Sequence, residues 1–369
     1  PVGAWSPVEL RISNPGAIGR RLAVFDGVPG SMDSRHLPWE VAVGAGGFAE
    51  LTYQVRPNQR GPFTFARASM LMASPLGLWW RHRRAGAPSP VKVFPNFAPV
   101  KHFAELARGH RLAQMGIHKR RLRGEGSEFH QLRDFREGDS LRQLDWKATA
   151  RLKRLISRDY QEERDQQVVC LVDCGRRMRA RDGRLSHFDH ILTGLLLLTF
   201  VALREGDAVG LLTFGGPERY VPPRKTQGAL DGILDALYDV EPSLQPTDYV
   251  KAAQATLTRI RKRSLIVVIT NLRDEDDETL GPALRLLARR HKVILASMRE
   301  PDLDKALQAP VVTFQEALRA GAIHAYLDLR RRVFDGLTTR GCAPLDVLPQ
   351  QLPVALANRY LAEKRAGTG

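Results

Sequence analysis

From residue 167 onward, short continuous apolar runs alternate with longer amphipathic ones. Segments 167–173, 208–214, 264–270 and 292–298 are rich in Val, Ile, Leu and Ala, and none of them alternates apolar with polar. A strand buried on both faces reads this way, which points to a mainly parallel sheet with helices on each side. The helical patterns fall between the strands, at 187–203, 228–238, 249–260, 278–290, 323–340 and 353–364, with shorter strands at 219–221 and 344–348. Open sheets of this kind gather ligands at the C-terminal ends of their strands, near the reversal in strand order. Asp173 and Asn271 stand at two such ends.

Residues 1–95 read differently. Short alternating runs at 8–12 and 49–55 are punctuated by Asn14-Pro15-Gly16, Val28-Pro29-Gly30, Gly46-Gly47 and Arg60-Gly61-Pro62. That spacing predicts a small all-β, sandwich-like domain. Residues 96–166 form a connecting segment, and 167–369 the α/β domain. The longest apolar stretch, 191–203, is bounded by Asp189, His190 and Arg204. It is too short to span a bilayer and reads as a buried helix.

Charge is the next constraint. The 56 Lys and Arg against 40 Asp and Glu give a net +16, which favours anionic partners. The excess is concentrated in residues 51–100, which carry seven bases and no acid. There Ser74-Pro75-Leu76-Gly77-Leu78-Trp79-Trp80-Arg81 turns abruptly from apolar and aromatic to basic. It reads as a sandwich strand with exposed arginines or as a face resting on acidic headgroups. Three scattered cysteines exclude a disulfide framework and fit a reducing compartment. Cys170 lies within a strand, while Cys174 is placed to be accessible. His187 and His190 read as surface or capping residues.

The segment 126–178 contains Gly126, Glu128, Phe129, Leu132, Arg133, Phe135, Gly138, Asp139, Arg142, Leu144, Asp145, Trp146, Thr149, Ala150 and Arg151, followed by a strand ending Leu171-Val172-Asp173. This pattern resembles the bacterial family called domain of unknown function 58. Gly61-Pro62-Phe63, Val93-Phe94-Pro95-Asn96 and Thr247-Asp248-Tyr249 resemble its flanking pattern. The resemblance implies a von Willebrand factor A-like doubly wound domain after a β-rich segment, with a pair of membrane helices ahead of both. It also implies a non-enzymatic, membrane-associated adaptor or substrate-recognition partner of a MoxR-type AAA+ ATPase, acting with a client protein in assembly or maturation. The chain is then expected to be the soluble part, without the helices, at the cytoplasmic face of the bacterial inner membrane.

Domains of this type often carry a metal-ion-dependent adhesion site with the pattern D-x-S-x-S, a later Thr and a later Asp. Oxygen ligands of that kind suit Mg²⁺. Residue by residue, Asp173 and Thr247 match, Gly175 and Arg177 replace the serines, and Asn271 replaces the last Asp. The site is therefore degenerate. The expectation is a metal-free polar cluster of Asp173, Arg177 and Asn271, in which a guanidinium takes the cation's part. No other cofactor is implied.

Glu128, Arg133, Asp139, Arg142, Asp145, Trp146 and Arg151 have two readings. Arg–carboxylate pairs lock the segment to the α/β domain, or the arginines and Trp146 anchor a partner. Gly138-Asp139-Ser140 reads as the cap of a helix over 141–150. Asp274, Glu275, Asp276, Asp277 and Glu278 read as a solvated acidic loop, with a displaced metal site as the alternative. No nucleophile elbow, phosphate loop, H-E-x-x-H or dinucleotide fingerprint is present. Two other functions compete with the adaptor. One is an anion or nucleic-acid binder driven by charge, disfavoured because the bases mix with acids. The other is a metal-dependent hydrolase using the acidic loop.

Overall fold

The structure, a computed structural model, describes residues 1–74, 78–97, 100, 128–135, 144–161, 166–183, 185–226, 228–273, 277–338 and 342–366. The chain forms two compact units, Pro1–Ala98 with Leu234–Val240, and Pro99–Ile233 with Glu241–Gly369.

The first unit carries strands β1 (Ser6–Ser13), β2 (Arg20–Gly27), β3 (Met32–Arg35), β4 (Trp39–Val43), β5 (Phe48–Pro57), β6 (Gly61–Ala73), β7 (Trp80–Ala85) and β8 (Ser89–Val93). They make two antiparallel sheets, β1-β5-β3 and β4-β2-β6-β7, with β8 paired to the first half of β6. Alternation sets the core: Leu51, Tyr53 and Val55 of β5 point inward, as do Leu22, Val24 and Val43. The Tyr53 hydroxyl is buried and donates to Asp26 Oδ2 at 2.5 Å.

The second unit begins with an antiparallel pair, β9 (Glu128–Asp134) and β10 (Ile156–Gln161), with helix α1 (Trp146–Leu152) between them in sequence. The main sheet follows. β11 (Gln167–Asp173) leads through a two-residue hairpin, β12 (Arg181–Asp182) and β13 (Leu185–Ser186), into helix α2 (His187–Arg204). Next come β14 (Ala208–Phe214), β15 (Tyr220–Arg224), helices α3 (Gly228–Leu237) and α4 (Tyr249–Arg259), and β16 (Leu265–Thr270). Helix α5 (Asp277–Ala288), β17 (Lys292–Met298), helices α6 (Pro301–Gln308) and α7 (Phe314–Thr338), β18 (Cys342–Val347) and helix α8 (Leu352–Ala366) complete the unit.

The six strands lie in the order β15-β14-β11-β16-β17-β18, and only the edge strand β15 is antiparallel. The first strand thus sits in the middle, and the chain builds outward to one side and then to the other. This is the von Willebrand factor A-like doubly wound sheet expected from the sequence. Its reversal point lies between β11 and β16, where Asp173 and Asn271 emerge.

Helix α2 is the apolar stretch read as buried, and most of it is. Ser186 caps it with a reciprocal box: Ser186 Oγ accepts from Asp189 N at 3.1 Å, and Asp189 Oδ2 accepts from Ser186 N at 2.9 Å. Among the described residues it is the one helix long and apolar enough to cross a membrane, yet 72% of it is buried inside the protein. It packs on α8, where Gly194 gives Leu352 room. Helix α8 is held at its far end by a buried group, Tyr360 Oη donating to Asp207 Oδ2 at 2.5 Å and Lys364 Nζ to Asp207 Oδ1 at 2.7 Å. Burial pushes the Asp207 carboxyl up, against the lowering effect of Lys364 and Tyr360.

Candidate functional site

Asp173 ends β11 and is fully buried. Its Oδ1 accepts from Gly175 N at 2.7 Å and from Thr247 Oγ1 at 2.9 Å, and its Oδ2 accepts from Thr270 Oγ1 at 2.7 Å. Thr270 Oγ1 lies 2.9 Å from the buried Tyr249 hydroxyl. Two glycines make this closeness feasible. A Cβ on Gly175 would overlap the Thr247 hydroxyl. At Gly215, where φ is +73°, a Cβ would stand 3.0 Å from Asp173 Oδ1. Gly175 also opens a 3-10 turn, Arg176–Arg179, and Arg176 N donates to Gln245 O at 3.1 Å, tying this turn to the loop that carries Thr247.

Beside this cage is a second cluster. Asn271, fully buried just past β16, donates from Nδ2 to Glu300 Oε1 at 3.0 Å and sits 3.4 Å from His187 Nδ1. The latter contact is a hydrogen bond only if Nδ1 carries no proton. Arg177 Nη1 donates to the Asn271 carbonyl at 3.5 Å, and Arg273 Nη2 lies 3.4 Å from Glu300 Oε1. Burial pushes the Glu300 carboxyl up. The Asn271 amide, its own backbone N–H, Arg273 and Arg330 outweigh that, and the net direction is down. Arg330, 3% exposed, binds Asp346 through Nε and Nη2 at 3.1 and 2.8 Å, Ser297 Oγ at 2.8 Å, Met298 O at 3.1 Å, and Leu272 O. One guanidinium thereby ties together the C-terminal ends of β16, β17 and β18.

The donor set does not fit a divalent cation. Asp173 and Thr247 are together, 2.9 Å apart and hydrogen-bonded, but two oxygens are only a third of an octahedral set. Gly175 offers no oxygen and has no space for one. Asn271 turns its amide to Glu300 instead of toward Asp173. Two of the buried oxygens without a partner among the described residues, Asn271 Oδ1 and Glu300 Oε2, belong to a cluster already containing Arg177, Arg273 and Arg330. A dication there would meet like charge. Among the described residues no three His, Cys, Asp or Glu side chains converge as a metal site.

Several sequence readings need correction. Cys174 is buried, not accessible, and so are Cys170 and Cys342. Cys170 is the buried residue its place in the strand implies, and burial pushes its thiol up to about 12. His187 is 1% exposed and belongs to the Asn271 cluster rather than the surface. The helix expected over 141–150 begins at Trp146 and runs to Leu152. Its cap is Asp145, whose Oδ1 accepts from Ala148 N at 3.0 Å. Leu144 forms a β-bridge with Ser157 and so is not part of the helix. Glu128 and Arg133 lie on β9, and Arg151 is exposed in the last turn of α1. Trp146 is 69% exposed. Asp134 pairs with Arg154 at 3.2 Å on the surface. Asp139, Arg142, the Gly138–Ser140 turn and Asp274, Glu275 and Asp276 lie outside the described residues. Sequence reasoning missed Glu300 and Arg330. Glu300 precedes Pro301 at the first position of α6, a helix-start signal.

A family model described as "Protein of unknown function DUF58" matches residues 131–322, just over half of the chain. The chain belongs to this family. The uncharacterized protein Rv1480 of Mycobacterium tuberculosis is 25% identical over 194 residues, covering 50% of this chain and 59% of the relative. The uncharacterized protein Mb1516 of Mycobacterium bovis matches to the same extent. This DUF58 chain thus spans about three-fifths of the length of the curated relatives it matches. Among solved structures it is similar to the conserved hypothetical protein BatB from Bacteroides thetaiotaomicron, with 16% identity, coverage of 55% and 99% of the two chains, and a TM-score of 0.34. The SpRpn10 VWA domain is similar at 12% identity, coverage of 53% and 93%, and a TM-score of 0.33. The fold assignment rests on the strand order itself.

Proposed function

We propose that this DUF58 protein is a non-enzymatic, membrane-associated interaction protein. Its partner is a MoxR-type AAA+ ATPase, and it acts as an adaptor or client-recognition subunit at the cytoplasmic membrane face. The family resemblance supports the ATPase; the geometry supports an interaction role that needs no metal. The observation that carries the reading is Trp146. A large aromatic stands 69% exposed at the first position of a helix fixed by the Asp145 cap, inside the segment the family model covers. Tryptophan is among the residues most enriched at interface hot spots, and arginine such as Arg151 is another.

The test is binding of the full chain to the MoxR-type ATPase of the same genome, measured by isothermal titration. Trp146→Ala should weaken the complex about thirtyfold, the ~2 kcal/mol of an interface hot spot. Its folding stability should stay within about 0.5 kcal/mol of wild type. Unchanged affinity in Trp146→Ala would remove this docking surface, and absence of any complex would remove the adaptor reading.

A further inference from the structure

The arm of the first unit that runs from Leu78 through β7 is open to solvent along its whole length. Leu78, Trp79 and Trp80 are 71%, 62% and 57% exposed, and every residue of β7, Trp80-Arg81-His82-Arg83-Arg84-Ala85, is exposed. The order along the chain is graded: one aliphatic residue, two tryptophans, then three arginines within four positions. Pairing of β7 with β6 sets Arg81 opposite Met72 and Arg83 opposite Met70. Arg81 and Arg83 also line an open groove of about 790 Å³ whose apolar lining includes Ile12, Leu22, Met70 and Met72, residues of the core cluster that joins this sheet to β1.

Arginines on an edge strand discourage strand-to-strand aggregation, which accounts for the charge but not for three exposed apolar neighbours. A nucleic-acid track would accept the tryptophans and arginines, but it has no use for an aliphatic end and a Met-lined floor. An anionic bilayer uses the leucine, the tryptophans and the arginines together. Tryptophan settles at the headgroup level, a leucine reaches the acyl boundary, and arginines beside them meet the phosphates. No Asp or Glu occurs in residues 51–100, and Glu40, which shares a cleft with Trp80, is accompanied there by Arg20 and Arg21.

We infer that the Leu78–Ala85 arm is a binding surface for anionic lipid bilayers, with Trp79 and Trp80 as interfacial anchors and Arg81, Arg83 and Arg84 as headgroup contacts. This deepens the membrane-associated part of the reading above, and because vesicle binding requires no ATPase, the two fail separately.

The experiment is flotation of the full chain with phosphatidylcholine vesicles, with and without phosphatidylglycerol, at low and high salt. Wild type should float with the anionic vesicles only, and salt should release it. Arg81→Gln/Arg83→Gln/Arg84→Gln should lower partitioning about a hundredfold, from roughly fivefold per base. Trp79→Ser/Trp80→Ser should reduce binding and abolish the blue shift of tryptophan emission while keeping the salt dependence. Both variants should unfold at the wild-type temperature, since every altered side chain is exposed. The inference is overturned if wild type does not float with anionic vesicles, if the arginine variant floats as well as wild type, or if single-stranded DNA displaces the protein from vesicles and is itself bound in preference.

Discussion

The two ends of the molecule's chemistry are opposites. At the C-terminal edge of the parallel sheet, where this fold ordinarily holds its ligand, Asp173 is buried, capped by two threonine hydroxyls and a backbone N–H, and enclosed by Gly175 and Gly215. Along β7, charge and aromatic surface stand in solvent. A polar group that is fully paired inside protein contributes to order and has little left to offer a ligand. An exposed one contributes little to stability and remains available. The carboxylate at the fold's usual site is engaged in internal hydrogen bonds, whereas exposed aromatic surface lies elsewhere, at Trp146 and along the Leu78–Ala85 arm.

That contrast can be broken most forcefully at Asp173. Asp173→Ala takes the acceptor from the buried Gly175 N–H, from the partly exposed Thr247 hydroxyl and from Thr270, which keeps the Tyr249 hydroxyl, and at about 1–3 kcal/mol for each unsatisfied group it should cost about 3 kcal/mol. Urea denaturation measures this; a cost near zero would mean that water replaces the carboxylate and the cage is open. Gly175→Ser comes next. Its new Cβ must displace the Thr247 hydroxyl, an overpacking that should cost about 1–3 kcal/mol. The double variant Gly175→Ser/Thr247→Ala should recover part of it. If the single variant is neutral and gains Mg²⁺ affinity, the glycine is a lost ligand position rather than a packing requirement.

The smallest effect concerns pH. Glu300 has a folded-state pKa below its unfolded value. Its contribution is therefore fully present above about pH 4.3, the unfolded value, and is lost as pH falls through the lower folded value. Glu300→Gln should flatten the acid limb of the stability curve and leave the region near pH 7 with the same slope. A steeper acid limb in the variant would contradict the sign.

Much of this architecture is legible in the amino-acid sequence. Strands β11, β14, β16 and β17 announce themselves because burial on both faces demands unbroken apolar runs. Asp173 and Asn271 are legible as strand ends, and Asp173 and Thr247 from the family pattern, whereas the strand order that makes one gap the reversal point comes only from the pairing. The features that escape are those set by long-range pairing or local caps. β10 is hidden because Ile156-Ser157-Arg158-Asp159 is polar; it is a strand because β9 pairs with it. The first three turns of α7 carry exposed Phe314 and Leu318 and show no apolar face. Their signal is the cap, in which Thr313 Oγ1 accepts from Glu316 N at 3.3 Å and Glu316 Oε2 from Thr313 N at 2.7 Å. Arg330 could have been found: it falls on the stripe Ile323, Leu327, Phe334 and Leu337, so a charge is set on the buried face of its helix. Glu300 is readable as a helix start, but its meeting with Asn271, like that of His187, is not, because it joins residues separated by 29 and 84 positions respectively.

The central claim is that the sheet's C-terminal edge is closed without an ion. The direct measurement is the thermal unfolding midpoint of the full chain across a titration of Mg²⁺ and of Mn²⁺, against a chelated sample. A native-state site filled at a hundred times its dissociation constant would add about 2.7 kcal/mol. The account predicts that all three midpoints coincide. A saturable rise with either ion that disappears in Asp173→Asn would contradict it and restore a metal to the site.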